Sequence, residues 1–128
     1  MKASPAADRV YLESMLDAIS RIQRYVGRRR RAGFLADPLL QDAVMRNIEV
    51  IGEAAGRVSG ELTSRYPAIA WSDIAGMRHR LIHGYLSVNL NTVWQAVERD
   101  LPVLEKQLVK LVPKEVKRPR ARTKVRRA

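Results

Sequence analysis

"DPLLQDAVMRNIEVIGEAAGRVSGEL", residues 37 to 62, is where the fold declares itself. Its apolar positions Leu40, Val44, Ile48, Ile51, Ala55, Val58 and Leu62 step by fours and threes, the spacing of one face of an α-helix. Asp37 supplies an N-cap, and Pro38 sits at the first helical position, where its missing N–H leaves no bond unmade. The spacing predicts one long helix from Pro38 through Leu62. Gly52 and Gly56, four apart, would let another helix approach closely. Arg46, Glu49 and Glu53 form a polar stripe offset from the apolar one. Such a stripe reads equally as a salt-bridged exposed face and as the lining of a cleft or subunit contact.

Working outward, the same periodicity recurs. From Asp8 the positions Leu12, Met15, Leu16, Ile19, Ile22 and Val26 predict a helix that stops at Gly27. After a break at "SRYPAIAW", Ser72 is expected to cap a helix running through Ile74, Met77 and Leu81 to Gly84. Asn91 is expected to cap a last helix, in which Leu90, Trp94, Val97, Leu101, Leu104, Leu108 and Leu111 continue to Pro113. Pro102 should kink that helix or divide it, with Asp100 as a second cap. No strand pattern competes. Stripes of this kind favour an all-α, four-helix up-and-down bundle with nearly antiparallel packing.

Composition limits what such a bundle does. The region from residue 8 to 113 is long enough to bury a core, with residues 1–7 expected as a flexible N-terminus. The chain contains no cysteine, which removes disulfides, thiolate nucleophiles and cysteine-based zinc sites, and fits a reducing compartment. "MKASPAAD" has no apolar targeting core, and no run is long enough to span a membrane, so a cytoplasmic protein is expected. The formal charge is +11. Residues 114–128 carry eight basic side chains against Glu115 alone, so this expected disordered tail holds +7 and the rest of the chain only +4. The tail, and "RRRR" at Arg28 to Arg31, read either as solvated surface or as loose affinity for polyanions such as nucleic acid.

"RHRLIHGY", residues 78 to 85, gathers both histidines of the chain, His79 and His83, with Arg78, Arg80 and Tyr85. Histidines four apart share a helical face, as in zinc pairs, but no third histidine and no intervening glutamate complete a metal site. Phosphate-binding glycine loops and the GxSxG motif are absent. No carboxylate lies in the stretch to orient a serine-type triad, and there is no cysteine nucleophile. An arginine and a histidine suffice for one reaction. In RNA cleavage the substrate's 2′-hydroxyl is the nucleophile, so the protein need only move protons and stabilise charge, with no metal or cofactor. A histidine titrating near 6.5 can do the first, and an arginine can hold phosphate oxygens bidentately. On an ideal helix Arg78 and His83 lie about 140° apart. Convergence then relies on the length of the Arg side chain, on unwinding at Gly84, or on a second subunit facing the first.

Four blocks, "YLESMLDAI", "QDAVMRNIEVIGEAA", "YPAIAWSDIAGMRHRLIHGY" and "VWQAVERDLPVL", occur in an order that resembles the HepT-like branch of the HEPN superfamily. The superfamily signature, Arg, a polar residue, a short spacer and His, maps onto Arg78, His79 and His83, and the tyrosine that follows in this branch maps onto Tyr85. The polar position is often asparagine in that branch; here it is His79. The resemblance implies a four- to five-helix bundle that dimerises so that two motifs face one cleft. It further implies a metal-independent endoribonuclease, the toxin of a toxin-antitoxin pair. A minimal nucleotidyltransferase similar to MntA would be the antitoxin, neutralising the toxin by moving AMP from ATP onto Tyr85. In that scheme His83 transfers protons, Arg78 binds phosphate and His79 supports them. The alternative is a non-catalytic HEPN module acting as partner or antitoxin of a nucleotidyltransferase, with Arg78 and His83 stabilising a helix C-terminus.

Overall fold

In the computed structural model, which describes residues 4–81 and 88–115 (residues 113–115 by backbone alone), every assigned element is helical: α1 (Pro5–Val26), α2 (Arg31–Leu35), α3 (Pro38–Arg57), α4 (Gly60–Arg65), α5 (Trp71–Ala75), α6 (Met77–Leu81), α7 (Leu90–Gln95), a π-turn (Ala96–Asp100) and α8 (Leu101–Glu115). The helices α1, α3 and α8 form the frame. Leu12, Met15, Ile19 and Ile22 of α1 meet Val44, Ile48 and Ile51 of α3 and Leu104, Leu108 and Leu111 of α8 in one continuous apolar core. Two polar links fix α1 and α3 antiparallel: Arg21 Nε donates to Asn47 Oδ1 at 2.8 Å, and Asp8 accepts from Ser59 just beyond the far end of α3. None of the described helices is long and apolar enough to cross a membrane.

Local chemistry moves several boundaries from where periodicity puts them. The first helix starts at Pro5 rather than Asp8, because the Ser4 side chain caps it by accepting from Ala7 N at 3.1 Å. Asp8 is instead a buried side chain of its first turn, 6% exposed. Its carboxylate accepts from the Ser59 N–H at 2.7 Å and the Ser59 hydroxyl at 2.6 Å. That grip ends the expected long helix at Arg57. Val58 turns extended, and Ser59 caps a separate α4 by accepting from Leu62 N. Helix α5 begins at Trp71 without the expected Ser72 cap; buried Trp71, donating from Nε1 to Tyr66 O at 3.0 Å, anchors the start. The cap of α7 is Asn89, whose side chain accepts from Thr92 N, and not Asn91, whose Oδ1 is engaged by Arg31 at 2.8 Å.

Pro102 neither divides the last helix nor calls on Asp100 as a cap. Proline has no N–H to donate and its ring crowds the carbonyl four residues back. The ladder slips by one, so that Leu101 N–H bonds Ala96 O and the chain passes Pro102 through a π-turn. The helix also continues past Pro113 to Glu115. Within the arginine-rich segment, Arg31 opens the short helix α2, which exists to bury Phe34 against Trp94, with ring centroids 5.4 Å apart. Residues 82–87 and 116–128, including His83, Gly84, Tyr85 and most of the basic tail, lie outside the described residues.

A candidate phosphate-binding groove

The close approach allowed by the glycines of α3 occurs, and it builds the site. A Cβ on Gly52 would stand 3.3 Å from the backbone oxygens of both Ile74 and Ala75, so only glycine lets α5 settle this near α3. Gly56 faces the Ala75 methyl at an ordinary 3.7 Å. With α5 seated there, the chain bends at Gly76 and α6 follows along α3. Met77 and Leu81, four apart, turn into the core, leaving Arg78, His79 and Arg80 exposed.

Arg78 and His79 face an open groove of about 990 Å³, bounded by Val10, Tyr11 and Ser14 of α1 and by the polar stripe of α3. The stripe therefore lines a cleft. Arg78 Nε lies 3.3 Å from Glu49 Oε2, and Glu49 also meets Arg46 at 3.7 Å. Farther along, Arg57 approaches Glu53 at 2.8 Å through Nη2 and 2.9 Å through Nε. The Arg57 guanidinium is held above its ordinary pKa by the hydrogen bond to Glu53 and that carboxylate's charge, with Tyr11 adding in the same direction. Arg80 points away from these partners and donates to Asp73 O at 3.1 Å.

Arg78 is 55% exposed and Glu49 36%. A pair this wet is worth at most about 1 kcal/mol. A phosphate offering two anionic oxygens to the planar guanidinium competes well with it. The groove thus presents a positioned but replaceable arginine beside an imidazole. Among the described residues, no cluster of three or more His, Asp or Glu side chains could hold a metal ion.

Of the site residues expected from the sequence, Arg78 and His79 share this groove with Arg46, Glu49 and Glu53. His83 and Tyr85 lie outside the described residues. Tyr11, Ser14 and Arg57 were not anticipated as lining residues. Arg57 was within reach, since Glu53 and Arg57 extend the stripe by one more helical turn. Tyr11 and Ser14 had no such signal, because nothing local marks which side of α1 borders a cleft.

A family model described as "Ribonuclease HepT-like" matches residues 15–111. "Probable ribonuclease HepT" of Thermococcus cleftensis is 36% identical over 101 residues, covering 79% of this chain and 92% of that protein. "Putative RNase TTE0752" of Caldanaerobacter subterraneus subsp. tengcongensis is 36% identical over 107 residues, covering 84% of this chain and 96% of that protein. A third relative, "Gamma-glutamylcyclotransferase and putative RNase MJ0434" of Methanocaldococcus jannaschii, is 36% identical over 104 residues; the match covers 81% of this chain but only 47% of that protein. No solved structure matches the chain.

Proposed function

The chain belongs to the ribonuclease HepT-like family, and from that premise we propose that it is a metal-independent endoribonuclease acting as the toxin of a toxin-antitoxin pair. The observation that carries this reading is Arg78, presented in an open groove and restrained, among the described residues, by an exposed ion pair with Glu49. In the proposed reaction the substrate's 2′-hydroxyl oxygen bonds to the adjacent phosphorus while the bond to the 5′-oxygen breaks. One proton leaves the 2′-hydroxyl and one joins the departing 5′-oxygen, giving a 2′,3′-cyclic phosphate and a 5′-hydroxyl. His83 serves this proton transfer, because an imidazole titrates near neutrality. Arg78 holds the phosphate oxygens as negative charge gathers on them. His79, beside Arg78 on the groove, supports substrate orientation.

Two copies pair so that their motifs face one cleft, which relieves the angular separation of Arg78 and His83 on a single helix. Tyr85 is the regulatory position. A partner nucleotidyltransferase transfers AMP from ATP to its hydroxyl, placing a bulky anion two residues from His83, where it obstructs substrate and competes for Arg78. The test is in cells and by mass. Expression of the chain alone should arrest growth, and His83→Ala or Arg78→Ala should relieve the arrest. Co-expression with a minimal nucleotidyltransferase should raise the intact mass by AMP units that map to Tyr85. Arrest that persists in both variants would sink the ribonuclease reading. AMP mapped to Tyr11, Tyr25 or Tyr66 would end the assignment to Tyr85.

A further inference from the structure

The proposed ribonuclease site lies along α3, and the densest positive charge among the described residues lies beyond the N-terminal end of that helix, where α1 gives way to α2. Gly27, at φ +56, turns the chain out of α1, and Arg28, Arg29, Arg30 and Arg31 follow, all exposed. Two of the four have structural employment. Arg29 donates to Tyr25 O at 3.1 Å and Val26 O at 3.5 Å, closing the end of α1, and its Nε stands 4.0 Å from Asp37. Arg31 bonds Asn91 at the start of α7. The side chains of Arg28 and Arg30 make no hydrogen bond or ion pair with any other described residue; the Arg30 backbone carbonyl accepts from Phe34 N at 3.1 Å at the start of α2. Asp37 is the sole described carboxylate within ion-pair distance of this run. Crowding like charges this way costs stability unless an anion visits.

A second observation says which anion. Tyr25, two residues before Gly27, is 38% exposed, with the Arg24 guanidinium 5.9 Å from its ring centroid. An exposed aromatic ring beside a guanidinium, next in the chain to a run of arginines, is a stacking platform for an unpaired base with donors for neighbouring phosphates close by in sequence. An acidic protein surface would use the charge but not the ring.

A third observation gives direction. Ala75 meets Gly52 and Arg78 meets Glu49, three residues on against three residues back, so the Arg78 helix runs antiparallel to α3, toward Pro38. The arginine run sits at that end, through Arg29 and Asp37. Helix α2 packs on both α3 and α7 there. Glu49 and Asp37 are twelve residues apart, about 18 Å of helix axis, a span of a few nucleotides. We infer that Arg28 and Arg30, together with Tyr25, form an anchoring site for single-stranded RNA a few nucleotides from the phosphate held at Arg78. This rests on the ribonuclease reading for its substrate class, but its test does not depend on cleavage.

The probe is a fluorescent twelve-nucleotide RNA, 2′-O-methylated throughout so that it has no attacking hydroxyl. It is titrated by anisotropy against the full-length chain at several salt concentrations, with a poly-glutamate of similar charge as a second arm. Arg28→Ala/Arg30→Ala should weaken RNA binding about tenfold at 0.1 M salt and flatten the plot of log K against log salt by about 1.4, two single-strand phosphate contacts at about 0.7 each. Tyr25→Leu should weaken RNA binding at least about fivefold with the slope unchanged, and should leave poly-glutamate binding as it was. Thermal melts should lie at or slightly above wild type, since the Arg28 and Arg30 side chains hold no other described residue and their removal relieves like-charge crowding. Unchanged RNA affinity and slope in the double variant would overturn the site. A Tyr25→Leu variant that binds RNA like wild type would overturn the assignment to RNA, leaving a general anion surface. Because the probe cannot be cut, a chain that cleaves nothing can pass this test, and an active nuclease can fail it.

Discussion

Arg78 is held by a contact that a phosphate can replace, and the balance can be measured one residue at a time. The ion pair with Glu49 is largely exposed, so Glu49→Gln should change unfolding free energy by no more than about 1 kcal/mol in urea melts. A larger loss would mean that the pair is a structural tie rather than a poised ligand. Arg78→Ala should leave stability within the same range and lower kcat by about 10²- to 10³-fold, the cost of removing one preorganised donor to a developing anion. At this scale part of the site was legible in the sequence. Arg78, His79, Arg46, Glu49 and Glu53 were visible as two polar clusters on apolar backgrounds. That the two clusters meet was not visible, because the meeting depends on how closely α5 approaches α3. Tyr11 and Ser14 come to the groove from a helix distant in sequence, which no local pattern announces.

Among elements, the approach of α5 to α3 turns on one glycine, while its neighbour is nearly indifferent. Gly56→Ala places a methyl in ordinary contact with Ala75 and should stabilise the protein by about 0.5–1 kcal/mol through helix propensity. Gly52→Ala gains the same propensity but presses on two backbone oxygens at 3.3 Å. An overpacking cost of about 1–3 kcal/mol should leave it neutral to destabilising. Equal effects of the two substitutions in urea denaturation would contradict the packing described here. Asp8→Ala should cost about 1.5–3 kcal/mol by the same measurement, since it strands the Ser59 N–H and hydroxyl that now donate to a buried carboxylate. The long apolar stripes of α1, α3 and α8 were legible because burial alone sets their period. The breaks were not. Val58 continues the apolar period, and only a carboxylate fifty residues earlier ends the helix there. Phe34 lies among arginines, where periodicity has nothing to count, yet it is fully buried against α7. The choice of Asn89 over Asn91 as cap reflects Arg31, again a partner remote in sequence.

For the whole molecule, pairing of two copies has a quantitative signature. If Arg78 of one subunit serves His83 of the other, mixing Arg78→Ala with His83→Ala protein creates hybrid dimers with one intact site. Activity should then recover to about a quarter of wild type, because half the dimers are hybrids and each has one site of two. No recovery after verified subunit exchange would place both groups within one chain. Removing residues 116–128, a cut that spares all of α8, should weaken RNA association and flatten its salt dependence while leaving turnover at saturating RNA nearly unchanged. Loss of turnover at saturation would make the tail part of the catalytic site. What the molecule does rests finally on the chemistry of the motif. Purified wild-type and His83→Ala protein should be incubated with a defined RNA in excess EDTA and the product ends read by mass spectrometry. Wild type should cut, leaving 2′,3′-cyclic or 3′-phosphate ends, and folded His83→Ala should lose at least about a hundredfold in rate. Cleavage that appears only on adding Mg²⁺, or that proceeds undiminished in His83→Ala, would contradict a metal-free site built on Arg78 and His83.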